Sequence, residues 1–318
     1  MSSPLYQALA DAARTGEKIC LALISGAKGS SPQKAGAKAL FYPDGRILGT
    51  LGGGCLEAEI QQRAVQSLIS GEASTFDLLL DHDFGWDDGL ICGGKVAGVI
   101  LPHATRAGHD FWTGLAARKS RIGWGVREDF SIGPVTGLWG EAKACEWHYR
   151  ETISPPCHLW IAGAGHISQA VAPLARHLDF RVTVFDDRPA LANRNFFPEG
   201  IELRTEEWEK LTLGTLPAEP CFGLVVTRGH RHDAVVLKEW IQKPFAFLGM
   251  IGSRRKARTI CEHFVSEHLA TPEQMSQVAC PVGLPIQARS VPEIAVSILA
   301  QYIEKRAAFL GQLGQAEV

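Results

Sequence analysis

The feature that most constrains this chain is Gly163-Ala164-Gly165-His166-Ile167-Ser168, with Asp186 standing 23 residues beyond Gly163. The apolar run at 158–162 reads as a strand before it, and residues 167–178 read as a helix after it. Asp186 closes a second expected strand at 181–185. A dinucleotide fingerprint has this context: glycines let the backbone turn tightly and approach a phosphate, and the helix N-terminus supplies N–H donors. Ser168 stands at the third glycine position, where a side chain is expected to loosen helix–strand packing. Gly163, Gly165, His166 and Asp186 are the first candidate binding residues. The bland alternative is a nucleotide-shaped cleft that binds something else, or nothing.

The rest of the second half keeps the alternation. Strands are expected at 222–227 and 245–250, and helices at 234–241 and from about 254. Ser290-Val291-Pro292-Glu293 has the form of a capping box opening a last helix to about 309. Strands alternating with helices imply βαβ units and a parallel sheet. The expectation is an α/β protein: a Rossmann-like doubly wound domain over 151–318, preceded by an α+β domain over 1–150. Ser154-Pro155-Pro156 stiffens the join, and 318 residues suit two domains.

In the first half, helices are expected at 4–14 and 56–69. Strands are expected at 19–25, 75–80 and 95–101, with a hairpin of 37–42 and 46–50 around Pro43-Asp44-Gly45. Residues 106–155, with Trp112, Trp124, Trp139 and Trp147 spaced among glycines and charges, read as extra strands and a connection.

Four further motifs carry possible chemistry. Gly52-Gly53-Gly54-Cys55-Leu56-Glu57 places three glycines and a thiol before a helix, where a nest and the helix dipole favour an anion or a thiolate. The alternative is a tight strand-to-helix turn with a small buried thiol. Cys92-Gly93-Gly94 repeats the pairing of cysteine with glycine. Zinc is disfavoured, because four ligands at recognisable spacing are missing. Arg228-Gly229-His230-Arg231-His232-Asp233 lies between a strand and a helix, where His230 and His232 could bind an oxyanion, shuttle a proton or ligate a metal. Otherwise Asp233 only caps the helix. Gly249-Met250-Ile251-Gly252-Ser253-Arg254-Arg255-Lys256 sets cations at a helix start, against the dipole, which fits an anionic ligand near Ser253 and Arg254, or an acidic partner, better than a solvated face.

A net charge of −2 provides no chain-wide field for nucleic acid or acidic membrane. Apolar runs are shorter than the ~18 residues of a membrane helix. The first residues lack a signal-peptide pattern, and the eight cysteines include no CxxC pair. Reduced thiols and a cytoplasmic location are expected.

Taken together, these residues resemble the XdhC/CoxI family, accessory proteins of molybdenum hydroxylases. The resemblance rests on Gly29-Ser30-Ser31-Pro32, Gly36-Ala37-Lys38, the stretch from Gly49 to Glu57, Cys92-Gly93-Gly94, Gly163 to His166, Val184-Phe185-Asp186-Asp187-Arg188, Gly229 to Asp233, Gly249 to Arg254 and Pro281-Val282-Gly283-Leu284. Ser168, Arg228 and Gln287-Ala288 depart from the pattern. The resemblance implies a chaperone and not an enzyme. It would bind the molybdenum cofactor (molybdopterin or its dinucleotide form) as cargo while a cysteine desulfurase installs the sulfido ligand, then pass it to an apo molybdenum hydroxylase. It implies Gly163, Gly165 and Arg254 at phosphate and Cys55 at the metal, with Cys92 as the other thiol, and a homodimer is expected. Competing readings are an NAD(P)-dependent oxidoreductase and a cofactor-free scaffold linking the desulfurase to its target.

Overall fold

The structure is a computed structural model that describes residues 3–29, 33–80, 94–135, 146–211 and 214–315. It divides into two compact units, Met1–Pro155 and Pro156–Val318.

The first unit contains α1 (Ser3–Thr15), β1 (Cys20–Lys28), β2 (Lys38–Phe41), β3 (Ile47–Gly49), α2 (Gly54–Ser70), β4 (Ser74–Leu80), β5 (Gly94–Leu101), α3 (His109–Ala117), β6 (Ile122–Arg127), β7 (Ile132–Pro134) and β8 (Trp147–Ile153). Its larger sheet is antiparallel, in the order β3-β2-β1-β5-β4. The apolar run of β1 is continuous because both faces are covered. Leu21 and Leu23 join the core under α1 and α3, while Cys20, Ala22 and Ile24 join the core under α2. The expected hairpin forms as β2–β3, where the Asp44 carboxylate accepts the Arg46 N–H at 3.0 Å.

Residues 106–155 differ from expectation. The first element there is a helix, α3, which buries Trp112 and Leu115 one turn apart. The strands follow as a three-stranded antiparallel sheet, β7-β6-β8. An ion pair between buried Lys38 and partly exposed Glu151 joins the two sheets: Lys38 Nζ on β2 lies 2.6 Å from Glu151 Oε2 on β8.

The second unit contains β9 (His158–Ala162), α4 (His166–His177), β10 (Arg181–Phe185), β11 (Glu202–Arg204), α5 (Trp208–Leu211), β12 (Cys221–Val225), α6 (His230–Trp240), β13 (Phe247–Met250), α7 (Arg254–Ser266), α8 (Pro272–Ser276), β14 (Val278–Ala279) and α9 (Val291–Gln315). The six strands pair in parallel in the order β11-β10-β9-β12-β13-β14. This is the 3-2-1-4-5-6 order of a doubly wound sheet, with its switch point between β9 and β12. Leu159 and Ile161 face the core shared with α4 and α9, while Trp160 and Ala162 face the core shared with α6 and α7. The capping box is present at α9: Glu293 Oε2 accepts the Ser290 N–H at 3.0 Å, and the Glu293 N–H points to Ser290 Oγ at 3.4 Å.

Candidate functional site

The carboxyl edge of the parallel sheet collects most of the residues singled out in the sequence. The chain leaves β9 through Gly163, whose φ is +113°. A Cβ there would lie 2.4 Å from the Val226 carbonyl oxygen. Gly163 is thus required by the crossing of the β9 and β12 loops, independently of any ligand. Gly165 is the opposite case. Its φ is −74°, and no atom lies within 4 Å of the place a Cβ would take. The space beside Gly165 is open toward the start of α4, where His166 is exposed.

Ser168 does not loosen the helix. It is fully buried, and its hydroxyl donates to the Gly163 carbonyl, so the side chain fastens α4 to the turn.

Asp186 is also fully buried. Its Oδ2 accepts the Ala164 N–H at 2.6 Å and Arg188 Nη2 at 2.9 Å, and its Oδ1 accepts Arg188 Nε at 2.8 Å. Burial alone would push this carboxyl up. The Arg188 guanidinium and the Ala164 N–H outweigh it and hold the group below its ordinary value. Both carboxylate oxygens are therefore engaged by the chain itself. Beside it, Asp187 Oδ2 accepts Arg228 Nη2 at 2.8 Å, tying the end of β10 to the end of β12.

Across the switch point, the two histidines of the Arg228–Asp233 motif part company. Arg228 Nε donates to His232 Nε2 at 3.0 Å, and the His232 ring lies beside Trp208. His230 instead lines a cleft of about 590 Å³ between α6 and α7. Ser253 lines the same cleft, and its Oγ caps α7 by accepting the Lys256 N–H at 3.2 Å. Arg254 is exposed outside the lining, whereas Arg255, the next residue, is part of it. Asp233 does not cap α6 in the expected way. Its Oδ1 accepts the Thr227 N–H and hydroxyl at 3.2 and 2.7 Å, and its Oδ2 meets Lys256 Nζ at 2.5 Å.

In the first unit, Gly52, Gly53 and Gly54 have φ values of +118°, +73° and +61°. Only glycine accepts three such values in succession at little cost. Glu57 braces the turn from inside α2: its Oε2 accepts the Leu51 N–H at 2.9 Å and the Thr50 hydroxyl at 2.7 Å. Cys55, in the first turn of α2, is partly exposed. Cys20, in contrast, is a buried thiol pushed up to about 12 by desolvation, and burial raises Cys221 and Cys280 too. Cys92 lies outside the described residues. Among the described residues, no group of three or more His, Cys, Asp and Glu side chains could hold a metal ion. Cys55 is therefore not part of a multi-ligand site made by these residues.

Arg188, Arg228 and Arg231 contribute to the sheet edge, although no binding role was expected of them from the sequence. Arg188 stands in the bidentate position two residues after an acid that ends a strand, and that spacing is the signal by which it could have been found.

A model of the XdhC Rossmann domain matches residues 159–302, and a model of the XdhC and CoxI family matches residues 12–79. The chain is 26% identical to a protein of Bacillus subtilis described as a probable xanthine dehydrogenase subunit, over 91% of this chain and 94% of that protein. It is also 26% identical to the molybdenum cofactor insertion chaperone PaoD of Escherichia coli, over 93% of this chain and 86% of that one. A solved structure from Bacillus halodurans, described as a xanthine dehydrogenase, shares the fold with a TM-score of 0.80 at 24% identity, covering 97% of this chain and 96% of that chain. With both units matched by models of one family, and with the doubly wound sheet and its glycine turns in place, the chain belongs to the XdhC and CoxI family.

Proposed function

We propose that this protein binds the molybdenum cofactor as cargo, shields it while a cysteine desulfurase installs the terminal sulfido ligand, and delivers it to an apo molybdenum hydroxylase. Its role is accessory and lies in molybdenum cofactor maturation. The observation that carries the reading is the near full-length likeness to a relative named for molybdenum cofactor insertion. The sheet edge is compatible with it. The backbone beside Gly165 is open, and cationic side chains gather across the switch point at α6 and α7.

Two contributions follow. In the second unit, the carboxyl edge of the sheet receives the cofactor, with the open backbone at Gly165 and the exposed His166 beside it and Asp186 shaping the Gly163 turn. In the first unit, the Cys55 thiol, raised on the glycine turn that Glu57 braces, supplies a soft sulfur contact to molybdenum. Cys92 is the second thiol of the proposal. No helix of the described residues is long and apolar enough to cross a membrane, and the proposal includes a cytoplasmic homodimer.

The NAD(P) reading draws support from the strand order, but the acid that would hold a ribose hydroxyl is occupied by Arg188. Reconstitution tests the proposal. A cofactor-free molybdenum hydroxylase is incubated with isolated molybdenum cofactor, a desulfurase and cysteine, with and without this protein. The expected result is activity that depends on the protein. Equal activity in its absence contradicts the proposal.

A further inference from the structure

The cleft between α6 and α7 has an unusual charge balance. Arg231 on α6 and Arg255 on α7 both line it, and neither has an acidic partner among the described residues. His230 and His263 line it too, and none of the lining residues is acidic. Lys256 is the one cation there with a protein counter-charge, its Nζ lying 2.5 Å from Asp233 Oδ2. The floor includes Ala234 and Ile260, and Ile260 belongs to the core beneath.

Two features make a solvated basic face a poor account. Arg254, Arg255 and Lys256 occupy the first turn of α7, where the helix dipole already presents partial positive charge. The cations also rim a concavity with an apolar floor, whereas solvated cations are usually interspersed with acids on a convex surface. An anion in the cleft would meet two guanidinium groups and the α7 N-terminus together, and guanidinium groups match phosphate oxygens bidentately. The apolar floor would accept a ring. By contrast, Gly163 is accounted for by chain crossing and Asp186 by Arg188.

We infer that the cleft between α6 and α7 binds the phosphate or diphosphate of a ring-bearing ligand, with Arg231 and Arg255 as the phosphate contacts. The inference rests on the cargo reading in one respect: it moves the seat of the cofactor's phosphate end from the Gly163 turn to this cleft.

The test uses the full-length protein and inorganic pyrophosphate, with binding followed by titration calorimetry. The variants are Arg231→Gln with Arg255→Gln, and Arg258→Gln as a control on the same helix outside the cleft. Wild type is expected to bind pyrophosphate at one site per chain. The double variant should weaken binding by roughly tenfold or more, as the loss of charge-assisted contacts implies, while Arg258→Gln stays within about twofold. No binding by wild type, or equal weakening by the control, overturns the inference. Molybdenum retention after incubation with isolated cofactor is measured on the same samples. Retention that survives intact in the double variant overturns the cleft as the phosphate seat and leaves the cargo reading standing. Wild type that binds pyrophosphate but holds no molybdenum overturns the cargo reading and leaves the cleft as a phosphate site.

Discussion

Arg188 spans the carboxylate of Asp186 from two residues away, with Nε on Oδ1 at 2.8 Å and Nη2 on Oδ2 at 2.9 Å. The pair converts the acid of a dinucleotide fingerprint into a strut that holds the Ala164 turn. Asp186→Asn puts a neutral amide among four donors, the Ala164 N–H and the backbone N–H, Nε and Nη2 of Arg188, and leaves Arg188 only its longer 3.8 Å contact with Asp187. It should cost on the order of 3 kcal/mol of stability at neutral pH. The sign of the pH dependence follows from the folded-state carboxyl being held below its ordinary value. Its contribution is full above the unfolded value of about 3.9 and is lost as pH falls through the folded value. Urea unfolding at a series of pH values should show wild type and variant separated at neutral pH and converging below about pH 4. A separation that is independent of pH contradicts this account.

The two glycines of the fingerprint should behave differently. Gly163→Ala meets the Val226 carbonyl and keeps a φ of +113°, and it should destabilise by about 3 kcal/mol or prevent folding. Gly165→Ala meets nothing within 4 Å at a φ of −74°, and its stability should stay within about 0.5 kcal/mol of wild type. Thermal unfolding of the pair checks this, and equal losses would refute the assignment of Gly163 to chain crossing.

Much of the second unit was legible because its strands are apolar runs bounded by glycine turns, as at 158–165 and 247–252. The elements that escaped are too short for periodicity: β11 has three residues and β14 two. Helix α3 was hidden among glycines, with Gly108 before it and Gly114 inside it. At the sheet edge, the residue types were legible but their pairings were not. His230 and His232 look alike in sequence, yet one lines the cleft and the other is held by Arg228. Lys38 and Glu151 are 113 positions apart, and no local pattern links them.

That long-range pair makes a further prediction. Lys38 Nζ meets Glu151 Oε2 at 2.6 Å, the Gly36 carbonyl at 2.8 Å and the Tyr149 hydroxyl at 3.2 Å, which uses all three of its donors. Desolvation lowers the Lys38 value and Glu151 opposes the fall. Lys38→Met leaves the carboxylate of Glu151 without its cation. It should cost about 2–4 kcal/mol, the lower part of that range reflecting the partial exposure of Glu151. Chemical denaturation reads the loss, and a variant as stable as wild type would show that the pair does not hold the two sheets together.

Cys55 is partly exposed on α2 and makes no contact that the core depends on. Cys55→Ala should therefore unfold within a few tenths of a kcal/mol of wild type. It should retain molybdenum more weakly by roughly tenfold, the scale of one lost contact worth about 1.4 kcal/mol. Full retention by this variant contradicts the assignment of the thiol to the metal.

Cargo binding itself is tested most directly by ultrafiltration of the wild-type protein after incubation with isolated molybdenum cofactor, with molybdenum and pterin counted in the retained fraction and NADH run in parallel. Near-stoichiometric molybdenum and pterin with no NADH is the expected outcome. Retention of NADH without molybdenum, or of neither, would contradict the cargo reading.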